Sequence, residues 1–410
     1  MKVLYVSPVP LQSVAQRPHH FVLWLHQRFK AELIWIETPP IRYPQLSDLH
    51  ALPRGLRKRR LTAKGQGPLW ANEPWIRRMR LPGLPFEPSA LGRSLNRLAW
   101  HAKVASIEAW LENVGSNGDA INNGSWLVVG RPCQAALYLH QRFPALPLLY
   151  DVMDNMAAFY VGASRRWVER CDAALVKLAT GILVSSRSLF NRYQASPAPC
   201  YLVPNGLAIE SQAMKRLLDR PTPLKVRADK RKGLVFGYVG TLASWFDWAL
   251  IESLCDRLYA QGYERFRIEL IGPLHGQLPT NIPPEVVIKP AVAQHLIWDS
   301  MKEFDIALIP FKKNELTLFV DPVKFYEYRA AGLPVMSSCF GDMALRGEED
   351  GVFYIESFLE GKIELSSVLR KSHDPEPSFY SAVNWESRFL VIEGIITKQN
   401  QVVSRTKAST

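Results

Sequence analysis

The stretch of sequence that decides the fold is Asp321-Pro322-Val323-Lys324-Phe325-Tyr326-Glu327. An aspartate followed by a proline predicts a helix start, with Asp321 as the N-cap and Pro322 at the first helical position. Gly332 predicts the end of this helix after about three turns. An apolar run at 305–310 precedes the stretch and predicts a strand. The helix is therefore expected to begin near the carboxyl end of a parallel strand, where ligands bind in open α/β sheets.

The same alternation of strand and helix patterns occurs in both halves of the chain. Short apolar runs alternate with segments of helical periodicity, which is typical of βα units and parallel sheets. A polar, proline-containing segment at 211–233 interrupts the pattern, which then restarts. We therefore expect an α/β protein with two doubly wound, Rossmann-like domains: an N-terminal domain at 1–210, a linker at 211–233 and a C-terminal domain at 234–375.

Composition excludes several classes of protein. With 410 residues, 47% of them hydrophobic, the chain can bury the cores of two or three domains. No apolar run approaches the ~20 residues that span a bilayer, so no transmembrane helix is expected. Five widely spaced cysteines fit neither a disulfide framework nor a zinc cluster. We expect a reducing, cytoplasmic location.

The net charge of +12 is concentrated in the segment 51–103, which holds 12 Lys and Arg against two acids and therefore carries +10. Aromatic side chains, among them Trp70, Trp75 and Trp100, are interleaved with these cations. The combination predicts an anionic membrane surface as a partner and a peripheral location on the inner face of the cell membrane. The alternative is a solvated insertion whose aromatic side chains pack on the domain.

The predicted helix at Asp321 has the features of a diphosphate site. Its free N–H groups and the Lys324 ammonium suit a diphosphate, and Glu327, one turn further on, could accept both hydroxyls of a ribose. Gly240 and Thr241 follow a predicted strand at 234–240, where backbone can approach phosphate closely. The alternative for Lys324 and Glu327 is a solvated i,i+3 salt bridge.

These motifs carry a resemblance. The stretch 321–335, with Val203-Pro204-Asn205-Gly206 and Tyr238-Val239-Gly240-Thr241, resembles GT-B fold glycosyltransferases of the group-1 superfamily. The closest likeness is to bacterial exopolysaccharide enzymes such as the xanthan glucuronosyltransferase and teichuronic-acid glycosyltransferases. The resemblance implies a nucleotide-sugar donor, with a UDP-sugar favoured, and no cofactor. It also implies a lipid-linked or saccharide acceptor, and a helix at 376–398 that returns to the first domain before a flexible tail at 399–410.

The resemblance assigns donor contacts to residues of the helix, with Glu327 on the ribose, Lys324 on the diphosphate and Phe325 and Tyr326 beside them. Many retaining members carry another glutamate eight positions before the ribose glutamate, and here that position is Phe319. The stereochemical outcome, inversion or retention, stays open at this point.

Catalytic candidates lie in the first half. Two aspartates, Asp151 and Asp154, follow the strand at 146–150, and an inverting transferase needs a base for the acceptor hydroxyl. The resemblance makes Asp154 the first choice and Asp151 the second, since the exopolysaccharide enzymes place an aspartate in a similar Tyr-x-x-x-Asp context. His19 is a third candidate. Each aspartate could instead cap a helix. Further candidates are Arg17 for the diphosphate, which could instead form a local salt bridge, and two acceptor-binding residues, His20 and Arg131.

Other functions remain compatible with the sequence. The basic surface would also suit a DNA-modifying glucosyltransferase. The sequence contains no motif for nucleic-acid readout, however, so nucleic acid is not an expected partner. A nucleotide-sugar epimerase of the same fold and a noncatalytic polyanion-binding protein are further alternatives, and the latter would not need Lys324 and Glu327. No Asp-x-Asp triplet or ligand cluster occurs, so we expect metal independence.

Overall fold

The computed structural model describes residues 1–41, 67–84, 86–112, 124–208, 233–292, 296–371 and 376–408. The chain divides into two compact units, which we call the first and the second unit. The first comprises Met1–Ser185, Leu189–Val203 and Phe389–Thr410, and the second Ser186–Ser188 and Pro204–Arg388. The predicted linker, except for Gly233, and residues 51–66 of the basic segment lie outside the described residues.

The first unit is built on a parallel sheet of seven strands in the order β3-β2-β1-β4-β5-β6-β7. The strands are β1 (Lys2–Ser7), β2 (Glu32–Glu37), β3 (Ile76–Arg80), β4 (Trp126–Val129), β5 (Leu148–Val152), β6 (Gly181–Val184) and β7 (Cys200–Leu202). The helices are α1 (Arg17–Phe29), α2 (Ala90–Glu112), α3 (Gln134–Arg142), α4 (Gly162–Leu178) and α5 (Arg187–Tyr193), which begins in the second unit. The central strands are buried along almost their whole length, as expected of a sheet with helices on both faces.

The second unit repeats this plan with six parallel strands in the order β10-β9-β8-β11-β12-β13. The strands are β8 (Leu234–Val239), β9 (Phe266–Ile271), β10 (Val286–Lys289), β11 (Ile306–Ile309), β12 (Val335–Ser337) and β13 (Val352–Tyr354). The helices are α6 (Trp248–Ala260), α7 (Ile297–Met301), α8 (Val323–Ala330), α9 (Ile355–Leu359), α10 (Leu365–Arg370), α11 (Pro377–Val383) and α12 (Trp385–Ala408). From Phe389, α12 belongs to the first unit, and it continues through residues predicted to form a tail.

The helix α8 is shorter than predicted and starts one residue later. Pro322, not Asp321, is the N-cap residue, and Asp321 makes other contacts that are described below. The predicted end is confirmed: Gly332 has φ +76° and donates to the Arg329 carbonyl, while Leu333 donates to the Tyr328 carbonyl. This pair of hydrogen bonds is a Schellman motif, which glycine favours because it adopts the left-handed conformation without strain.

No described helix is both long enough and apolar enough to cross a membrane.

Candidate functional site

In each unit, several of the predicted site residues follow the strands at which the order of the sheet reverses, whereas Asp151 and Asp154 lie at the end of β5. In the first sheet β1 neighbours β4, with Arg17 after β1 and Arg131 after β4. In the second sheet β8 neighbours β11, with Gly240 after β8 and α8 after β11. Such reversal points leave a crevice at the carboxyl edge of a doubly wound sheet, and this is where such sheets bind ligands.

In the second unit, Lys324 lies directly against the glycine turn that follows β8. A Cβ atom added to Gly240 would lie 2.2 Å from Lys324 Cε and 2.5 Å from its Nζ. A Cβ atom at Gly272 would in turn lie 2.0 Å from the Gly240 carbonyl oxygen. Glycine at 272 is therefore required for the close approach of the two backbone turns, and a methyl group at position 240 would displace the flexible Lys324 side chain.

Lys324 and Glu327 are half-buried, and neither side chain forms a hydrogen bond or an ion pair with another described residue. The predicted alternative, a salt bridge between them, is therefore not formed. The Lys324 ammonium lies 5.6 Å from the Tyr238 ring centroid. Burial lowers the pKa of Lys324 and raises that of Glu327, and each charge partly offsets the shift of the other. Two ionisable groups that burial pushes toward neutrality, one turn apart on one helix, are typical of a binding site.

The helix α8 is tied to β8 by a residue that the sequence did not mark as important. The Val239 N–H donates to the Tyr328 hydroxyl over 2.9 Å, and the Tyr328 side chain is fully buried. This hydrogen bond holds the first strand of the second unit to the helix that carries Lys324 and Glu327. Thr241 is held separately, since its carbonyl accepts from the Tyr238 hydroxyl over 2.8 Å.

The assignment of donor contacts to Phe325 and Tyr326 requires correction. Both side chains are buried in the core of the second unit, with exposed fractions of 5% and 4%. The Tyr326 hydroxyl donates to the Asp321 carboxylate, and the Arg346 guanidinium lies 4.0 Å from the Phe325 ring centroid. These aromatic residues therefore orient the helix from within and do not offer their rings to a ligand.

In the first unit, Arg17 and Asp151 are paired with each other. The Arg17 Nε and Nη2 atoms donate to Asp151 at 2.8–3.2 Å, and Nη1 donates to the Val203 carbonyl. Both side chains are almost completely buried. The geometry thus favours the alternative of a local salt bridge for Arg17, and a carboxylate that accepts from two guanidinium nitrogens is a poor candidate for a general base.

Asp154 differs from Asp151 in each of these respects. It is half-buried, and its carboxylate has no hydrogen-bond or ion-pair partner among the described residues. Burial raises its pKa to about 7, and the nearby charge of Arg17 opposes the shift. A carboxyl group that titrates near neutral pH is suited to accept a proton from a hydroxyl.

The two histidines after β1 are held in their uncharged forms. His19 is fully buried: its Nδ1 accepts from the Gln16 N–H, and its Nε2 lies 3.2 Å from the Leu11 carbonyl oxygen. Burial lowers the pKa of His19 to about 4 and that of His20 to about 3. With both ring nitrogens engaged, His19 holds the loop before α1, and this geometry favours a structural role over the predicted catalytic one. His20 is half-buried.

Arg131 lies in a polar cluster at the carboxyl edge of the first sheet. It donates to Thr38 Oγ1 over 3.0 Å and to the Tyr160 hydroxyl over 3.4 Å, and its buried Nε has no hydrogen-bond partner among the described residues. Glu87 is fully buried in the same cluster and accepts from the Gln134 N–H at the start of α3. Burial raises the pKa of Glu87, while Arg131 opposes the shift. As one of only two acids in the basic segment, Glu87 was recognisable from sequence.

The aromatic residues of the basic segment pack on the first unit. Trp100 is fully buried, and its Nε1 donates to the Pro82 carbonyl. Trp75 stacks on His26 with ring centroids 4.1 Å apart, and the Trp70 ring lies 5.3 Å from that of Trp75. These three rings therefore pack on the first unit, as the alternative predicted, and membrane association of the segment stays a prediction.

No three His, Cys, Asp or Glu side chains among the described residues lie close enough together to hold a metal ion. Metal independence stays a prediction.

Comparison with known proteins supports the architecture. No protein-family model matches the chain. A Bacillus subtilis (strain 168) protein, TuaH, whose assigned name is that of a teichuronic acid biosynthesis glycosyltransferase, is 24% identical over 224 residues. The match covers 48% of this chain and 54% of TuaH, so the chain spans about half the length of this curated relative.

Two solved structures extend the comparison to the whole chain. Sucrose-phosphate synthase from Thermosynechococcus elongatus superposes with a TM-score of 0.57 at 12% identity, and Anabaena HepE, solved in complex with UDP-glucose, with a TM-score of 0.52 at 14% identity. Both likenesses cover 100% of each chain. Together with the two parallel sheets, they confirm the predicted fold: this chain has the GT-B fold of glycosyltransferases.

Proposed function

We propose that the protein is a metal-independent glycosyltransferase that moves a sugar from a nucleoside-diphosphate sugar to a lipid-linked or saccharide acceptor. The second unit binds the donor, and the first unit supplies the acceptor site and the base. The observation that carries the proposal is the pair Lys324 and Glu327, half-buried one turn apart near the start of α8, with Lys324 against the glycine turn at Gly240.

The donor site follows from the charges and donors at this point. Lys324 and the N–H groups at the start of α8 favour a diphosphate, because each presents positive charge or a hydrogen-bond donor. Glu327 accepts hydrogen bonds from ribose hydroxyls. A UDP-sugar is the first donor to test, since HepE, which has the same fold, was solved with UDP-glucose.

The chemistry requires a base on the acceptor side. The acceptor hydroxyl oxygen bonds to the anomeric carbon while the bond from that carbon to the diphosphate oxygen breaks, and the nucleoside diphosphate leaves with the electron pair. The hydroxyl proton passes to the Asp154 carboxylate, whose pKa of about 7 leaves it ionised in an appreciable fraction of molecules at neutral pH. Direct attack of this kind inverts the anomeric configuration, and Lys324 stabilises the leaving diphosphate.

We propose that the acceptor is an intermediate of cell-surface polysaccharide synthesis and that Arg131 and His20 contact it. The support is the name of TuaH and the cationic character of residues 51–103, which would hold the protein at the inner face of the cell membrane.

Thermal-shift measurements with UDP-, GDP-, dTDP- and CMP-sugars test the donor. One class is expected to raise the melting temperature of the wild type and to leave that of Lys324→Ala/Glu327→Ala unchanged. If no class stabilises the wild type, or if the double variant responds equally, the proposed function fails.

A further inference from the structure

The helix α2 has two apolar faces, of which only one is covered. The inner face packs on the first unit through residues spaced by three or four positions, Gly92, Asn96, Trp100, Val104, Ile107 and Leu111. The outer face carries a second apolar stripe with the same spacing, Leu91, Leu95, Leu98, Ala102, Ala105 and Ala109, and every one of these residues is exposed. An ordinary surface helix has one apolar stripe, so the outer stripe requires an explanation.

The inner face fixes the direction in which the outer stripe points. The Asn96 side chain exchanges two hydrogen bonds with the Leu84 backbone, and Trp100 donates to the Pro82 carbonyl. The Arg93 carbonyl accepts from Gln134 Nε2 over 2.7 Å. Rotation of the helix to bury the outer stripe would break these contacts, so the stripe stays on the surface.

The large side chains of the stripe lie at the amino-terminal end of α2, where the helix carries only positive charge. Leu91, Leu95 and Leu98 are 72%, 43% and 76% exposed, while the remainder of the stripe is alanine. Residues 90–103 contain three cations, Arg93, Arg97 and Lys103, and no acid. Arg97 and Lys103 are exposed. By helical periodicity they flank the leucine stripe on its two sides, and the Arg97 guanidinium carbon lies 5.8 Å from the Tyr138 ring centroid. From these flanks their long side chains can reach anionic headgroups.

We propose that this outer face of α2 binds the interface of a bilayer that contains anionic lipid, with the three leucines between the acyl chains and Arg97 and Lys103 at the headgroups. Apolar side chains flanked by cations are the composition of helices that lie in such an interface. The inference narrows the proposed membrane-binding surface from residues 51–103 to the outer face of α2. It rests on the proposed membrane association and not on the proposed transfer reaction.

Charge favours a bilayer over the other occupants of such a surface. A second copy of the chain would bring like charges together if the leucine ends of two α2 helices packed in parallel. Nucleic acid would attract the cations but would gain nothing from three exposed leucines. An anionic bilayer is complementary to both features.

Vesicle flotation of the full chain, without nucleotide, tests the proposal. The probe is a set of vesicles with phosphatidylglycerol and phosphatidylcholine in about equal parts, compared with phosphatidylcholine alone. Leu91→Gln/Leu95→Gln/Leu98→Gln is expected to weaken partitioning at least about 100-fold, and Arg97→Gln/Lys103→Gln about 10-fold on anionic vesicles only.

The matched control is Leu318→Gln/Leu345→Gln, which removes leucines of the second unit that are 51% and 65% exposed. It is expected to partition like the wild type. The proposal is overturned if the triple leucine variant binds vesicles as strongly as the wild type. It is also overturned if the wild type does not bind vesicles but forms a dimer that the triple variant cannot form. Because donor binding is measured separately, failure here leaves the proposed transfer reaction intact.

Discussion

Asp321 and Arg346 form a buried ion pair, with Arg346 Nη2 2.8 Å from Asp321 Oδ1. The exposed side-chain fraction is 14% for Arg346 and 0% for Asp321. The same carboxylate accepts from the Asn205 N–H, and the Asn205 side chain donates to the Asp321 carbonyl. These hydrogen bonds tie Asp321, two residues before α8, to the turn at Pro204-Asn205-Gly206. This explains why Asp321 is not available to cap the helix.

Removal of either partner is expected to destabilise the second unit by about 3–5 kcal/mol, because the other charge would stay buried without its partner. Asp321→Asn and Arg346→Met, alone and together, give a double-mutant cycle measured by denaturant unfolding. The free energy of unfolding should fall less in the double variant than the sum of its decreases in the two single variants. Additive costs would contradict a direct coupling between the two residues.

Gly240→Ala is expected to weaken binding of the nucleoside diphosphate about 10- to 100-fold, since the new methyl group would displace the Lys324 side chain. The matched control is Gly262→Ala. Gly262 has φ +79° and nothing within 4 Å of an added Cβ, so this substitution adds backbone strain without displacing any group. Calorimetry of both variants distinguishes the two effects, and equal affinity in both would be inconsistent with a role for Lys324.

Asp154→Asn and Asp151→Asn should affect stability in opposite directions. The pKa of Asp154 rises from 3.8 to about 7 on folding, so between these values the unfolded state ionises and the folded state does not. The wild type therefore loses stability as pH rises from about 4 to 7, and Asp154→Asn avoids that loss. Asp151→Asn leaves Arg17 buried with its ion pair broken and is expected to cost about 3–5 kcal/mol.

Thermal unfolding at pH 4 and pH 8 checks both variants. Asp154→Asn should match the wild type at pH 4 and exceed it at pH 8, whereas Asp151→Asn should be less stable at both. A stability gain of Asp154→Asn that is the same at both pH values would show that Asp154 is not held neutral by burial.

The rate of transfer should depend on the ionisation of Asp154. Because the base is the ionised carboxylate, kcat/KM is expected to rise about tenfold per pH unit below pH 7 and to level off above it. Asp154→Asn should lower kcat about 10²- to 10⁴-fold. If Asp154→Asn retains the wild-type rate and pH profile, another group is the base.

Most of the fold could be predicted from sequence because buried parallel strands are continuous apolar runs. The strands predicted at 146–150, 234–240 and 305–310 are β5, β8 and β11, and their observed bounds differ from the predicted ones by at most two residues. The strands β3 and β13 were missed. The strand β3 reads Ile-Arg-Arg-Met-Arg. It lies at the sheet edge, where Arg78 and Arg80 pair with Glu37 instead of facing a core, and no apolar pattern marks such a strand.

Spacing predicted which strand ends carry polar residues but not how those residues pair. Arg17 and Asp151 are 134 positions apart in the sequence. They meet because β1 and β5 end at the same edge of the parallel sheet, with only β4 between them. The difference between Asp151 and Asp154 likewise depends on this pairing. Phe325 and Tyr326 were assigned to a ligand because the motif contains them, whereas helical periodicity places them toward the core.

Calorimetric titration with UDP is the most direct test of the central claim, donor binding by Lys324 and Glu327. The wild type is expected to bind, while Glu327→Gln and Lys324→Gln, which keep the size of each side chain, should each lose about tenfold or more in affinity. Glu349→Gln, at an exposed acid of the same unit, should bind like the wild type. Unchanged affinity in both α8 variants would contradict the account.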